Sequence, residues 1–507
     1  MKLIYNVNDR PKFGQLIVFA IQQLLAIMAA TLVVPVITGH GMSSAAALFG
    51  AGVGTLVYVL FTARKSPVFL GSSFAFLGSM AAAFAGGVSM QLGYLGLIIG
   101  ACFAGLVYVV IAIVVKLVGV KWVDKLMPAV VIGPTVAIIG LSLAGNAIGD
   151  LKTVNYTYEE TKENYQYVEH VAPYVGDDGK VADDKTDGFV VDVKTGTVDA
   201  QVSYDKDTDT FIAKRGSAFV AVVCGLITLL VTTLCATYGK KMFRLIPFII
   251  GILAGYASAS VFFIIGSLTG CEALKIINYA PLTALVADGV TLQTFLSVPD
   301  FTFLTAFRGF GELSGTYIAT IAVAYIPVAF VVFAEHIADH KNISSIIEKD
   351  LLKEPGLHRT LLGDGIGSIA GAFFGGCPNT TYGESVGCVA ITANASVATI
   401  IAAAVGAILI SFISPFVAFV NSIPSCVMGG VCMALYGFIA VSGLKMIHQV
   451  DLEENRNLFV VSTILIAGIG GLTLTFGKVT LTAVACALIL GIIVNLILSG
   501  KSEKKDA

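Results

Sequence analysis

The run Val331-Val332-Phe333-Ala334-Glu335-His336-Ile337-Ala338-Asp339-His340 closes an apolar stretch and carries four ionisable side chains in six positions. On a helix, Glu335 and Asp339 are one turn apart and share a face; His336 and His340 share a neighbouring face. Two carboxyl groups that close repel when both are ionised, so the pair suits holding and passing on a proton. Glu335, Asp339 and His336 are therefore the candidates for proton handling. The same spacing permits a metal site from His336, Asp339 and His340, but no further ligand group of matching logic occurs elsewhere, and no metal is expected. A plainer alternative makes Asp339 and His340 the wet end of the helix.

A second run, Pro378-Asn379-Thr380-Thr381-Tyr382-Gly383-Glu384-Ser385-Val386-Gly387, separates two apolar stretches. Proline, glycine and β-branched threonines make a continuous helix through it unfavourable. Irregular backbone at membrane depth survives only where protein or a cavity covers it. Its N–H and C=O groups are then free to hold a polar substrate, as in transporters with discontinuous helices. Glu384 sits at the end of this break.

What must position these groups is a membrane scaffold. Of 507 residues, 56% are apolar and 13% charged, and the mean hydropathy is +0.87. Soluble chains carry about 25% charged residues, and the excess apolar surface here requires lipid. A net charge of −2 gives no reason to expect nucleic acid as a partner. Inside a bilayer a charged side chain costs about 2.5–3.5 kcal/mol on insertion scales, so intramembrane carboxylates are functional candidates. Fourteen spans are predicted, near 13–37, 42–62, 66–87, 91–117, 121–148, 216–238 and 244–268, then 314–337, 360–376, 380–394, 396–413, 414–444, 457–476 and 479–499. The polar start, Met1 to Lys12, leads into a span too long for a cleavable leader.

Basic residues orient these spans. Lys2, Arg10 and Lys12 precede the first; Arg64 and Lys65 follow the second; Lys116, Lys121 and Lys125 surround the end of the fourth. Lys240, Lys241 and Arg244 follow the sixth, Lys341 to Arg359 the eighth, Lys445 and Arg456 the twelfth, and Lys501, Lys504 and Lys505 close the chain. Each cluster falls on the same side, which predicts cytoplasmic termini. Residues 150–215 stand apart, with fifteen acidic against eight basic residues, a net of −7. Asp177-Asp178-Gly179 and the alternation Phe189 to Val193 suggest a small β-rich extracellular insertion or a loop. Asn155-Tyr156-Thr157 fits a glycosylation acceptor, a pattern that also arises by chance. The outside loop near 270–312 is mixed and suits an amphipathic segment. The nine cysteines lack a CxxC pair, and most read as small buried hydrophobes.

The third span of the first half begins Phe69-Leu70-Gly71-Ser72-Ser73-Phe74-Ala75-Phe76, and the tenth is the third of the second half; both are small, polar and interrupted. Paired breaks at corresponding places mark a transporter site. Seven spans per half require the second repeat to be inverted, so the two breaks meet head to head as short extended stretches.

With these runs, and with Gln22-Gln23-Leu24, Val34-Pro35-Val36, Lys349 to Leu352, Pro355 to Arg359 and Val427-Met428-Gly429-Gly430, the chain resembles the nucleobase–ascorbate transporter family, and within it the bacterial uracil permeases. The resemblance covers nearly all of the chain except 150–215. It implies an all-α polytopic fold of about fourteen transmembrane helices in a 7+7 inverted repeat, divided into core and gate domains. The core would comprise 1–118 and 314–413. The gate would comprise 119–149, 216–268 and 414–500, with loops at 150–215 and 269–313 and a tail at 501–507. It further implies that Glu335 and Glu384 bind a base, that Phe74 lies beside its ring with Ser73 and Ala75 adjoining, and that Gly383 and Glu384 offer backbone amides. Tyr382 would stand close by, and Tyr436 would face the site from the gate. A homodimer in a bacterial plasma membrane, with a proton as coupling ion and no cofactor, completes the expectation.

The chain departs from the family pattern at Gln23, where relatives often have histidine, at Asp339, which is histidine in some uracil permeases, and at Ser385 and Ala393. Uracil presents two N–H donors and two carbonyl acceptors, which carboxylates and backbone amides match. Alternatives are a xanthine or purine permease of the same family, an anion transporter, which buried carboxylates disfavour, a channel, and an intramembrane hydrolase using Glu335, His336 and His340.

Overall fold

The structure, a computed structural model, describes residues 3–119, 122, 128–160, 164–169, 174–175, 181–182, 188–198, 202–205, 210–240, 242–287, 289–476 and 479–502. The turn at Asp177-Asp178-Gly179, most of the predicted start of the fifth span and the end of the tail lie outside the described residues.

The first half contains α1 (Phe13–Thr38), α2 (Ser44–Phe61), β1 (Leu70–Ser72), α3 (Leu77–Ala83), α4 (Met90–Val118), α5 (Ala129–Ser142), α6 (Ala144–Leu151), α7 (Ala218–Tyr238) and α8 (Pro247–Thr269). A 3-10 turn, Phe74–Phe76, joins β1 to α3. The second half contains α9 (Gly315–Ile347), α10 (Leu357–Gly375), β2 (Asn379–Thr381), α11 (Gly383–Thr392), α12 (Val397–Ile410), α13 (Ser414–Ser422), α14 (Ser425–Ile447), α15 (Asn455–Ile469) and α16 (Ala483–Ser502). Among the described residues, eight helices are long and apolar enough to cross a membrane. Shorter helices and strand–helix pairs fill the remaining predicted spans.

Local chemistry explains several boundaries. Ser43, Ser89 and Ser314 each accept a hydrogen bond from the first turn of the helix they precede, at 3.2, 3.1 and 3.2 Å, which satisfies donors that a helix start leaves unpaired. Gly376, left-handed at φ +74°, closes α10 before Pro378.

Two differences from the sequence expectation have physical causes. The predicted twelfth span, 414–444, is two helices, because Pro424 cannot continue α13 and instead precedes the first turn of α14. The predicted eighth span, 314–337, runs on to Ile347 as α9, 33 residues long. The alternation of buried and polar positions continues past the apolar run, so Glu335 and Asp339 lie inside a helix. His340 is fully buried, which overturns its reading as a wet helix end.

The helices pack in two groups. α1, α2, α4, α9, α10 and α12 pack on one another, and α5, α7, α8, α14, α15 and α16 do likewise; contact between the groups is sparse. The tightest pair is α2 with α10. A Cβ on Gly50 would stand 2.5 Å from the Gly371 carbonyl oxygen, and one on Gly54 would stand 2.7 Å from that of Gly367. Small residues at this seam let the two backbones touch, the usual route to tight packing in lipid. Within 150–215, strands Tyr165–Glu169 and Gly188–Asp192 pair antiparallel, and Tyr158–Glu160, Thr210–Ala213 and Val202–Asp205 form a three-stranded sheet.

Candidate functional site

The two broken spans meet. β1 and β2 pair antiparallel, with Leu70 opposite Thr381, Gly71 opposite Thr380 and Ser72 opposite Asn379. The pairing extends at both ends: Ser73 donates from its backbone N–H to the Pro378 carbonyl at 2.9 Å, and Tyr382 donates likewise to Phe69 at 3.2 Å. Strands this short are stable at membrane depth because their backbone groups satisfy one another inside protein. Each strand then runs into a helix, so the N-termini of the Phe74–Ala83 segment and of α11 lie at the crossing. The first amides of α11, at Gly383 and Glu384, have no intrahelical acceptor, and together with the helix dipole they favour negative charge or a carbonyl oxygen.

Side chains brace the crossing. The Tyr382 hydroxyl donates to the Ser72 carbonyl at 2.7 Å. Its ring covers Gly71, where a Cβ would stand 2.4 Å away. Ser385 accepts from the Phe69 backbone N–H at 3.0 Å and from the Gln23 amide of α1. This gives two of the departing positions a shared structural job. Asn379 donates to the Gly50 carbonyl at 3.1 Å, which pins β2 to α2.

The carboxylates gather beside this crossing. Glu335 and Asp339 of α9 and Glu384 of α11 lie within electrostatic reach of one another. Thr381 donates to Asp339 at 2.8 Å, and a Cβ on Gly383 would stand 3.7 Å from the other Asp339 oxygen. Among the described residues, no side-chain hydrogen bond joins Glu335 or Glu384 to another residue, and both are half-buried. Phe74 lies at the same place and meets Tyr436 of α14 edge to face. Ala75 is half-buried at the opening, whereas Ser73 and Tyr382 are buried in the brace. The fold thus brings together Glu335, Asp339, Glu384, Gly383, Phe74 and Tyr436.

His336 is placed differently. Its ring is fully buried, with Nδ1 2.7 Å from Asp364 of α10 and Nε2 3.0 Å from the Thr360 hydroxyl. Thr360 spends its own proton on the Leu357 carbonyl at 3.0 Å. Nε2 must therefore carry a hydrogen, and Nδ1 and Asp364 share one proton between them. His340 uses Nδ1 on the His336 carbonyl at 2.8 Å and Nε2 on the Tyr58 hydroxyl at 2.7 Å. With all four ring nitrogens engaged, the metal and hydrolase alternatives lose their ligands and base. Asp364 is a site residue beyond those expected from sequence, although the cost that marks Glu335 applies equally to a lone acid in the glycine-rich span 360–376.

Asn155 also has an occupation that counters its glycosylation reading. Its carboxamide accepts from the Ser425 backbone N–H at 2.6 Å and donates to the Ser425 hydroxyl at 3.1 Å. It thereby caps α14, the helix that carries Tyr436.

Comparison with known proteins bears on the family and the fold. The Permease family model matches residues 14–175 and 216–477. The chain is 33% identical to a uracil permease of Bacillus caldolyticus over 100% of its own length and 97% of the relative's. It is 34% identical to that of Bacillus subtilis strain 168 (100% and 98%) and 32% identical to that of Escherichia coli K12 (97% and 93%). Among solved structures, the transmembrane domain of the cyanobacterial bicarbonate transporter BicA superposes with a TM-score of 0.56 at 13% identity, covering 96% of this chain and 98% of that one. The murine anion transporter Slc26a9, inward-facing, gives 0.58 at 10% identity, with 98% and 69% covered. These two share the fold, which is the 7+7 inverted repeat.

Proposed function

Because the chain belongs to the nucleobase–ascorbate transporter family of permeases, and is a multi-pass membrane transporter rather than an enzyme, we propose that it imports a nucleobase, uracil first, together with a proton. The observation that supports this reading is the trio of carboxylates beside a strand crossing whose helix-terminal amides have no intrahelical acceptor. Glu335 and Glu384 accept the two ring N–H groups, and the amides of Gly383 and Glu384 donate to a ring carbonyl. Phe74 stacks on the flat ring, and Tyr436, which meets the Phe74 ring edge to face, bounds the site from the gate. A site built this way rejects analogues lacking a matching group, because its own buried groups would be left unpaired.

Coupling follows from the crowding of carboxylates. A proton taken from outside by Glu335 or Asp339 relieves repulsion within the trio, and the base then completes the hydrogen bonds. The core, 1–118 with 314–413, carries the crossing. The gate, 119–149, 216–268 and 414–500, carries Tyr436. Sparse contact between the two helix groups supports a motion of core against gate that exposes the site alternately. The protein sits in a bacterial plasma membrane with both termini in the cytoplasm and 150–215 outside, and it pairs as a homodimer. Ser73 and Tyr382 hold the crossing, while His336, the residue after Glu335, shares a proton with Asp364.

The test is uptake of labelled uracil in a permease-deficient strain with competing bases. Glu384→Gln is expected to abolish uptake while the purified protein keeps its thermal midpoint, and normal uptake by this variant would remove the site assignment. Competition by xanthine as effective as by unlabelled uracil would move the substrate to the purines. Uptake insensitive to an uncoupler and to the pH gradient would remove proton coupling.

A further inference from the structure

Behind the strand crossing, between α4, α9 and α10, lies a small cavity with about 10 Å³ for the centre of a water-sized sphere. Its apolar wall includes Phe76 and Val332; its polar groups are Tyr108 of α4, Ser368 of α10 and Asn379 of β2. All three residues are buried, with 4%, 4% and 2% of their surface exposed. The Tyr108 hydroxyl and the Asn379 Oδ1 atom have no hydrogen-bond partner among the described residues. The Asn379 orientation is fixed, because Nδ2 donates to Gly50, and a Cβ at Gly371 would stand within 2.6 Å of every terminal atom of the carboxamide.

We propose that this cavity binds one structural water, which accepts from the Tyr108 hydroxyl, donates to Asn379 Oδ1 and is held at a third point by the Ser368 hydroxyl. One water needs about 10–15 Å³ on this measure and two to four polar partners; the cavity reaches the lower end of that range, and its wall includes three polar residues. An unpaired buried hydroxyl and an unpaired buried carbonyl are costly, and a single water has the donor and the acceptor that satisfy both. A cation fits less well: none of the lining residues is charged, so nothing in the wall offsets its charge. The consequence concerns the transport site. Asn379 is the first residue of β2 and pairs with Ser72. The protein ties it directly to α2, and the water ties it to α4, so the crossing that presents Gly383 and Glu384 is anchored on two sides. This inference does not depend on the identity of the transported molecule.

Tyr108→Phe distinguishes a wet cavity from a dry one by sign. With the water present, the variant loses a hydrogen bond and its thermal midpoint in detergent falls, by about 2 °C. With a dry cavity, the variant removes an orphaned hydroxyl and the midpoint rises or stays unchanged, which would overturn the proposal. A midpoint of the unmodified protein that climbs with sodium but not with choline chloride, and loses this dependence in Tyr108→Phe, would replace the water by a cation. If Tyr108→Phe does not fold, a high-resolution structure of the unmodified protein decides. Density at hydrogen-bonding distance from Tyr108 Oη and Asn379 Oδ1 supports the water, and a featureless cavity overturns it.

Discussion

The rings of Phe74 and Tyr436 meet edge to face, their centroids 5.7 Å apart at 83°, although one residue stands at the strand crossing and the other on α14 in the opposite helix group. Edge-to-face pairs contribute about 0.5–1.5 kcal/mol beyond their buried area. Tyr436→Ala is therefore expected to weaken equilibrium binding of uracil about 3–10-fold, whereas Tyr436→Phe, which keeps the ring, stays within about twofold of the unmodified protein. Equal losses in the two variants would mean that the hydroxyl, and not the ring, carries the contact.

Asp364 and His336 make a second contact with a testable consequence. Removing one member of a buried, hydrogen-bonded pair costs about 3–5 kcal/mol, so Asp364→Leu is expected to lower the thermal midpoint by many degrees. Asp364→Asn keeps a donor facing His336 Nδ1 but cannot exchange the shared proton. Its midpoint is expected to stay near that of the unmodified protein while uracil uptake falls at least tenfold. Undiminished uptake by Asp364→Asn would reduce the pair to a packing feature.

Gly71 is required by the Tyr382 ring. An alanine Cβ there would stand 2.4 Å from the ring and 2.9 Å from the Thr31 hydroxyl, and overpacking of this kind costs about 1–3 kcal/mol. Gly71→Ala is expected to destabilise the protein by that amount, and Tyr382→Ala in the same chain to recover part of it. A double-mutant cycle on the thermal midpoint measures the coupling; strictly additive losses would show that the two residues do not act through this contact.

Lys65 and Glu354 pair at 2.6 Å outside the spans, between the α2–β1 and α9–α10 connections. The hydrogen bond and charge of Lys65 hold the exposed Glu354 carboxyl below its ordinary pKa. A depressed carboxylate contributes above its unfolded pKa and loses that contribution as pH falls through the folded value. The pair is exposed and screened by salt, so its contribution is small. Lys65→Ala is expected to leave the thermal midpoint nearly unchanged at pH 7. Any difference from the unmodified protein should shrink as acidification protonates this carboxyl; a difference that survives its protonation would have another origin.

Much of the arrangement at the candidate site is legible in the sequence. Glu335 and Glu384 stood out because a carboxylate within an apolar run is expensive, and the strand crossing followed from two interrupted spans at matching places in the two halves. Asp364 is less legible, because a lone acid between glycines lacks the clustered polar residues that mark the other two runs. His336 reads as a proton-relay candidate because it stands in the same ionisable run as Glu335 and Asp339; its partner sits on another helix, and only that helix reveals which proton it holds. The end of α9 was misplaced because the apolar run stops near Ile337, whereas buried contacts of His340, Ile343 and Ile347 carry the helix further.

By itself the sequence determined what hydropathy, charge and local backbone chemistry can encode: a membrane protein, the number and inversion of its spans, the break before Glu384 and the acidic residues that would crowd together. The tertiary structure decided what depends on groups distant in the chain. Ser72 opposite Asn379, Thr381 bonded to Asp339, His336 bonded to Asp364, and Phe74 against Tyr436 are each joined by packing between elements. Residue type limits which of these partners is chemically possible, and the close approach of glycine-lined helices, fixed by sterics, selects the one that forms.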